Sequence, residues 1–170
     1  SSDLKALVIT TEIGDRKVEG ECYANLGAVF HSLGEYDKSK EYLHKALVII
    51  TETGDRKGEG QCYANLGNVF QSLGEYDKAK EYLHKALVIT TETGDRNAEG
   101  TCYENLGAVF QSLGEYDKAK EYLHKALVIT TKIGDRKVEG ACYINLGTVF
   151  LSLGEYERAK EYLHKALVIT

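Results

Sequence analysis

The chain has no proline, no methionine and no tryptophan. Without proline, no fixed backbone angle forces a helix to kink or stop. No apolar run approaches the length of a membrane span, and no signal peptide opens the chain. Basic residues are not clustered. The 21 Lys and Arg stand against 26 Asp and Glu, a net charge of -5, with the signs alternating throughout. A nucleic-acid footprint needs basic clustering, so that class is excluded. Paired cysteines are missing as well. Cys22, Cys62, Cys102 and Cys142 lie 40 residues apart, whereas a structural zinc site wants close pairs and a secreted framework wants irregular spacing. One thiol in each copy, beside apolar neighbours, reads as a small core residue. That usage implies a reducing compartment, and the expected localisation is cytoplasmic.

What the chain does have is repetition. Gly-Asp-Arg begins at Gly14, Gly54, Gly94 and Gly134, a period of 40 residues. A period in this range marks a solenoid or array, with each unit touching mainly its neighbours. The expected division is a partial helix over 1–13, then repeats over 14–53, 54–93, 94–133 and 134–170. The chain starts at Ser1 with the tail of a repeat and stops at Thr170 before a fifth Gly-Asp-Arg, so it reads as a piece of a longer array.

Each repeat predicts two helices. In the second copy Asp55 is a good N-cap, and Cys62, Leu66, Val69 and Leu73 follow at steps of 4, 3 and 4 with Tyr63 and Phe70 beside them. That is one apolar helical face. Gly74 ends this helix. Tyr76, Ala79, Leu83, Ala86, Leu87 and Ile89 then mark a second, which Gly94 ends. Gly27, Gly67, Gly107 and Gly147 fall mid-helix, where glycine costs roughly 0.5–1 kcal/mol against alanine. A cost repeated in every copy predicts a close approach of the two helices there. One hairpin cannot bury both of its faces, so hairpins must stack, and the fold class is all-α.

The segments Tyr63-Ala64-Asn65-Leu66-Gly67-Asn68-Val69-Phe70, Leu73-Gly74-Glu75-Tyr76-Asp77-Lys78-Ala79, Tyr82-Leu83 and Lys85-Ala86-Leu87 resemble the tetratricopeptide repeat signature. Tyr63 stands where that signature usually has tryptophan. The resemblance covers all four copies and departs in two ways. The unit is 40 residues long rather than about 34, and the proline that usually closes the second helix is missing. Thr90, Thr91, Glu92 and Thr93 extend that helix instead. The longer unit, with Gly-Asp-Arg and Asn-Leu-Gly, is similar to the repeats of the Pins/LGN cell-polarity adaptors. The resemblance implies an α-solenoid, a right-handed superhelix whose first helices line a concave groove. In the family such grooves bind extended peptides.

The copies differ mainly along one stripe of the first helix. Its columns read Val18, Gly58, Ala98, Val138; Glu21, Gln61, Thr101, Ala141; Ala24, Ala64, Glu104, Ile144; Ala28, Asn68, Ala108, Thr148; and His31, Gln71, Gln111, Leu151. The steps of 3, 3, 4 and 3 describe one helix face, away from the apolar stripe. Two explanations stand. Exposed positions drift, or one face was tuned after duplication. Lys80, Glu81, His84 and Lys85 recur unchanged on the second helix, and drift alone should have scattered differences there too. Asn25, Asn65, Asn105 and Asn145 lie beside the stripe and never change. A side-chain amide both donates and accepts, so it can pair with a peptide backbone of any sequence. In the related adaptors an asparagine ladder at matching positions has this role; the alternative is an asparagine bonded to its own turn.

The expected peptide-binding residues are Asn25, Asn65, Asn68, Gln71, Glu104, Asn105, Gln111, Ile144, Asn145 and Leu151. Chaperone-tail binders of the family clamp a terminal carboxylate with lysines and an arginine, but the matching columns that start at Glu21 and Ala24 offer no cation. Arg16, Arg56, Arg96 and Arg136 reach either an acidic ligand or a nearby carboxylate. The single histidine per repeat (His44, His84, His124, His164) is a poor metal site, because equivalent residues of stacked units stand roughly 8–10 Å apart. No catalytic constellation and no phosphate-binding glycine loop is present. The expected function is therefore a protein–protein interaction scaffold, not an enzyme, with no cofactor and no metal. Its partner is an extended protein or peptide segment, with no nucleic acid and no membrane. Self-association through uncapped terminal repeats is a further expectation. The alternative function is a structural spacer or self-associating array without a dedicated ligand.

Overall fold

The structure is a computed structural model that describes residues 2–13 and 15–169, with backbone alone for 10–13. Ser1, Gly14 and Thr170, and with them the first Gly-Asp-Arg start and the two outermost repeat boundaries, lie outside the described residues. Among those residues the only regular structure is helix: α1 (Ser2–Ile13), α2 (Arg16–Ser32), α3 (Tyr36–Thr53), α4 (Arg56–Ser72), α5 (Tyr76–Thr93), α6 (Arg96–Ser112), α7 (Tyr116–Ile133), α8 (Arg136–Ser152) and α9 (Tyr156–Ile169). The predicted pattern of a partial helix and eight full ones is what the described residues form. The fold is all-α, of the α-solenoid class.

Helix ends follow the punctuation in the sequence. The carboxylates of Asp15, Asp55, Asp95 and Asp135 accept from the backbone N–H three residues on, at 3.0 to 3.2 Å, which satisfies an otherwise orphaned donor. At the end of α4 the Gly74 N–H donates to the Gln71 carbonyl at 3.0 Å and the Glu75 N–H to the Phe70 carbonyl at 2.9 Å. That closure needs the left-handed backbone of Gly74, with φ at 76°, a region glycine enters without a steric cost.

The chain divides into two compact units, residues 1–89 and 90–170. In the first, α2 packs on α1, α3 and α4, and α3 packs on α4. In the second, α6 packs on α7 and α8, α7 on α8, and α8 on α9. The apolar stripes meet inside each unit: Leu66, Val69 and Phe70 with Leu83 and Ala86 in one, and Leu106, Val109 and Phe110 with Leu123 and Ala126 in the other, all buried. Each large aliphatic or aromatic side chain contributes about 1.5–3 kcal/mol through burial. Phe70 stacks on Tyr82 with ring centres 5.2 Å apart, and Phe110 on Tyr122 at 5.1 Å. The mid-helix glycines mark the predicted close approach. A Cβ on Gly67 would lie 2.6 Å from Leu83 Cγ, and one on Gly107 would lie 2.6 Å from Leu123 Cγ.

The cysteines are free. Cys62, Cys102 and Cys142 are buried and Cys22 is half-buried. Burial pushes the thiols of Cys62 and Cys102 up to about 11 and that of Cys142 to about 12.

Candidate functional site

The variable stripe lies where packing leaves it open. None of its residues on α2, α4, α6 or α8 is buried, whereas the leucines and phenylalanines of the same helices mostly are. In the first unit the stripe borders a recess of about 410 Å³ between α2 and α4. Glu21, Ala24 and Ala28 contribute from α2 and Gly58 and Gln61 from α4, with Asn25 and Asn65 among them. A smaller recess of about 140 Å³ adjoins Ala28, His31, Asn65 and Asn68. Asn65 therefore borders both, and Asn25, Asn65 and Asn68 of the expected site share one face. Gln71 is half-buried further along α4. The His31 ring Nε2 lies 3.0 Å from the Ser72 hydroxyl at that end.

The second unit carries the same stripe with different chemistry. Asn145 of α8 donates its Nδ2 to Glu104 Oε1 of α6 at 2.8 Å. Burial raises the Glu104 carboxyl above its ordinary value, and the Asn145 bond works against that shift. Asn105 and Gln111 are half-buried on the same helix as Glu104. Ile144 is 48% and Leu151 52% exposed, so apolar side chains are presented outward on α8. The four asparagines are thus not equivalent: Asn25 and Asn65 line open space and Asn145 holds a carboxylate.

The structure adds contacts to three readings from the sequence. The columns that start at Glu21 and Ala24 hold no cation, as read, but Lys57 from a neighbouring column borders the recess. Its column, Lys17, Lys57, Asn97 and Lys137, varies only once, so variation does not mark it. The unchanged residues of the second helix are engaged, not idle. Lys80 pairs with Asp77 at 3.8 Å, and Lys85 pairs with Glu81 at 3.4 Å while lying over the Tyr63 and Tyr82 rings. Lys85 thus has a contact across the hairpin, whereas the Lys80 pair stays on its own helix. Finally, of the two alternatives for the arginines the nearby carboxylate is the one formed: Arg16, Arg56 and Arg96 pair with Glu19, Glu59 and Glu99 of the same turn at 3.1, 3.0 and 2.8 Å, and Arg16 also with Glu52 of α3 at 2.9 Å. Such partly exposed pairs add little stability.

Among the described residues no group of histidine, cysteine or carboxylate side chains is arranged to hold a metal ion, and no helix is long and apolar enough to cross a membrane.

Comparison with known proteins agrees with this architecture. The tetratricopeptide repeat family matches residues 20–92, 63–127 and 98–169. No curated protein matches the chain. Among solved structures, BtubC (BKLC) from P. vanneervenii superposes with a TM-score of 0.82 at 24% identity, over 91% of this chain and 64% of that one. Aspartyl phosphate phosphatase F from Bacillus subtilis gives a TM-score of 0.90 at 20% identity, over 98% of this chain and 44% of that one. The Rap conjugation gene regulator of the plasmid pLS20, solved in complex with the Phr* peptide, gives a TM-score of 0.81 at 18% identity, over 94% of this chain and 44% of that one. The chain thus spans less than two thirds of each of these proteins, and at such identities the likeness is one of fold. The chain belongs to the tetratricopeptide repeat family.

Proposed function

We propose that this chain, as a tetratricopeptide repeat protein, is an adaptor segment that holds an extended peptide against the first-helix faces of its units. One observation carries the reading: the residues that vary between copies and the asparagines that do not vary border the same recess between α2 and α4. Constant amides supply sequence-independent bonds to a peptide backbone, and variable neighbours read side chains. An extended ligand exposes a donor and an acceptor at each residue, which suits a row of amides at repeat spacing. The pLS20 regulator, similar in fold, was solved with a peptide, which supports the reading without naming this chain's ligand. The finer likeness to the cell-polarity adaptors rests on the sequence pattern alone. Nothing in this reading requires a cofactor or a catalytic group.

The test is selection of unstructured peptides from a displayed random library on the whole chain, followed by NMR of the asparagine side-chain amides. Selected peptides should shift the Asn25 and Asn65 amide signals. Peptides that shift only second-helix residues such as His84 and Lys85, or a library that yields no binder, overturn the reading.

A second reading is self-association. It is favoured by the outward apolar side chains of α8 and α9: Ile144, Leu151, Leu167 and Val168 are 48, 52, 71 and 86% exposed. Exposed apolar surface of this kind marks contact sites. Sedimentation that stays monomeric at high concentration removes it.

A further inference from the structure

Glu104 is the one acidic side chain in its column, where the other copies hold Ala24, Ala64 and Ile144. It is half-buried on α6 and bonded to a neutral amide, Asn145. Five of this unit's ten cationic side chains pair with other carboxylates, Arg96 with Glu99, Lys120 with Asp117, Lys125 with Glu121, Lys160 with Glu157 and Lys165 with Glu161, and the shift of the Glu104 carboxyl has burial and Asn145 as its causes, with no cation among them. The stripe positions around Glu104 on α6 and α8, Thr101, Ala108, Ala141, Ile144 and Thr148, are all uncharged. A carboxylate drawn out of water without a counter-charge is costly, and burial accordingly pushes the Glu104 carboxyl up. The scaffold does not require it, since alanine fills the same position in two copies.

We propose that Glu104, oriented by Asn145, is the subsite for a cationic side chain, lysine or arginine, of the bound peptide. The proposal rests on the peptide-binding reading above and adds the chemistry of one ligand position. Asn145 engages Oε1, which leaves Oε2 to accept a charge-assisted bond from an ammonium or guanidinium. Ile144, in the same column of the next copy and half-exposed, offers apolar surface to the methylene stem. The ligand thus supplies the counter-charge for a carboxylate that the chain bonds only to an amide.

The probes are blocked Ser-Thr peptides with a central arginine, or with uncharged citrulline in its place, titrated into the whole chain. The readouts are the Glu104 carboxyl ¹³C shift and the Asn145 amide signals. The arginine peptide should bind roughly tenfold or more tightly than the citrulline peptide, the factor expected of one charge-assisted bond, and should shift Glu104. Glu104→Ala should erase the difference, and its folding is safeguarded because α2 and α4 carry alanine there. Equal binding of the two probes, or an arginine preference that survives Glu104→Ala, overturns the proposal. If library-selected neutral peptides shift Asn25 and Asn65 while the arginine probe leaves Glu104 unmoved, the cation subsite falls and the peptide reading stands. If the arginine probe shifts Glu104 but no peptide moves the asparagines of α2 and α4, the reading of those asparagines falls and the cation subsite stands as a property of the second unit alone.

Discussion

The Lys85 ammonium lies 5.1 Å from the centre of the Tyr82 ring on its own helix and 5.6 Å from that of Tyr63 on the preceding one. Lys45, Lys125 and Lys165 repeat the arrangement over Tyr23 and Tyr42, Tyr103 and Tyr122, and Tyr143 and Tyr162. Each lysine thus ties the second helix of a hairpin to the first. Lys85→Ala should lower stability by about 0.5–1 kcal/mol, the usual size of a partly exposed cation–π contact, and Lys85→Arg should keep most of it. A denaturant midpoint unchanged in Lys85→Ala would assign the column to solvation alone.

Gly67 offers a test of the hairpin's closest approach. Alanine there improves intrinsic helix propensity by about 1 kcal/mol. Its Cβ would, however, sit 2.6 Å from Leu83 Cγ and 3.3 Å from the Ala79 carbonyl oxygen. Leu83 is fully buried and has nowhere to move, and overpacking of this kind costs about 1–3 kcal/mol. The steric effect should win, so Gly67→Ala should melt below the parent chain. A raised melting temperature would mean that the helices part easily.

The thiols make a third prediction. Burial raises all four thiols above their ordinary 9.0, so they are protonated at neutral pH, and Cys62, Cys102 and Cys142 are shielded by packing. An aromatic disulfide reagent at neutral pH should label Cys22 first and the other three only on unfolding. The sign of the pH effect follows from the raised values. A group whose folded pKa lies above its unfolded one stabilises fully below the unfolded value. For the three buried thiols that value is 9.0, and the contribution is lost as pH rises through about 11 to 12. Alkaline unfolding should therefore begin between these limits. Equal labelling rates for the four cysteines would contradict the packing.

Much of the fold is legible in the sequence because repetition makes the signal redundant. Aspartate caps, glycine ends and the apolar spacing of Leu66, Val69, Leu83 and Ala86 occur in each copy, so one period determines two helices and their facing stripes. The close approach at Gly67 is legible for the same reason: a cost repeated in every copy needs a packing cause. The contacts of Lys85 and Lys80 are not, because a constant charged residue on a helix surface looks the same whether it is solvated or lies over a ring. Nor is the Glu104–Asn145 bond, which joins residues 41 positions apart and depends on how neighbouring first helices are offset. Lys57 escapes because its column hardly varies, and variation is the signal that picks out the face.

The asparagines separate most clearly by stability. Asn65 borders open recesses, so Asn65→Ala should leave the melting temperature almost unchanged. Asn145 holds the half-buried carboxylate of Glu104, and a hydrogen bond to a charged group contributes about 1.5–3 kcal/mol. Partial exposure reduces this, so Asn145→Ala should cost about 1 kcal/mol at neutral pH. In a Glu104→Ala background the cost should vanish, because the partner is gone; that non-additivity marks a direct bond. The pH dependence points the same way. The Glu104 carboxyl is raised above its ordinary 4.5 by burial, so it favours the folded state while protonated and loses that contribution as pH rises through its folded value. Glu104→Gln should therefore be more stable than the parent at neutral pH, with the advantage shrinking as pH falls through the raised folded value and gone below the ordinary 4.5. If Asn145→Ala costs the same with and without Glu104, the asparagine supports its helix in some other way than through that carboxylate.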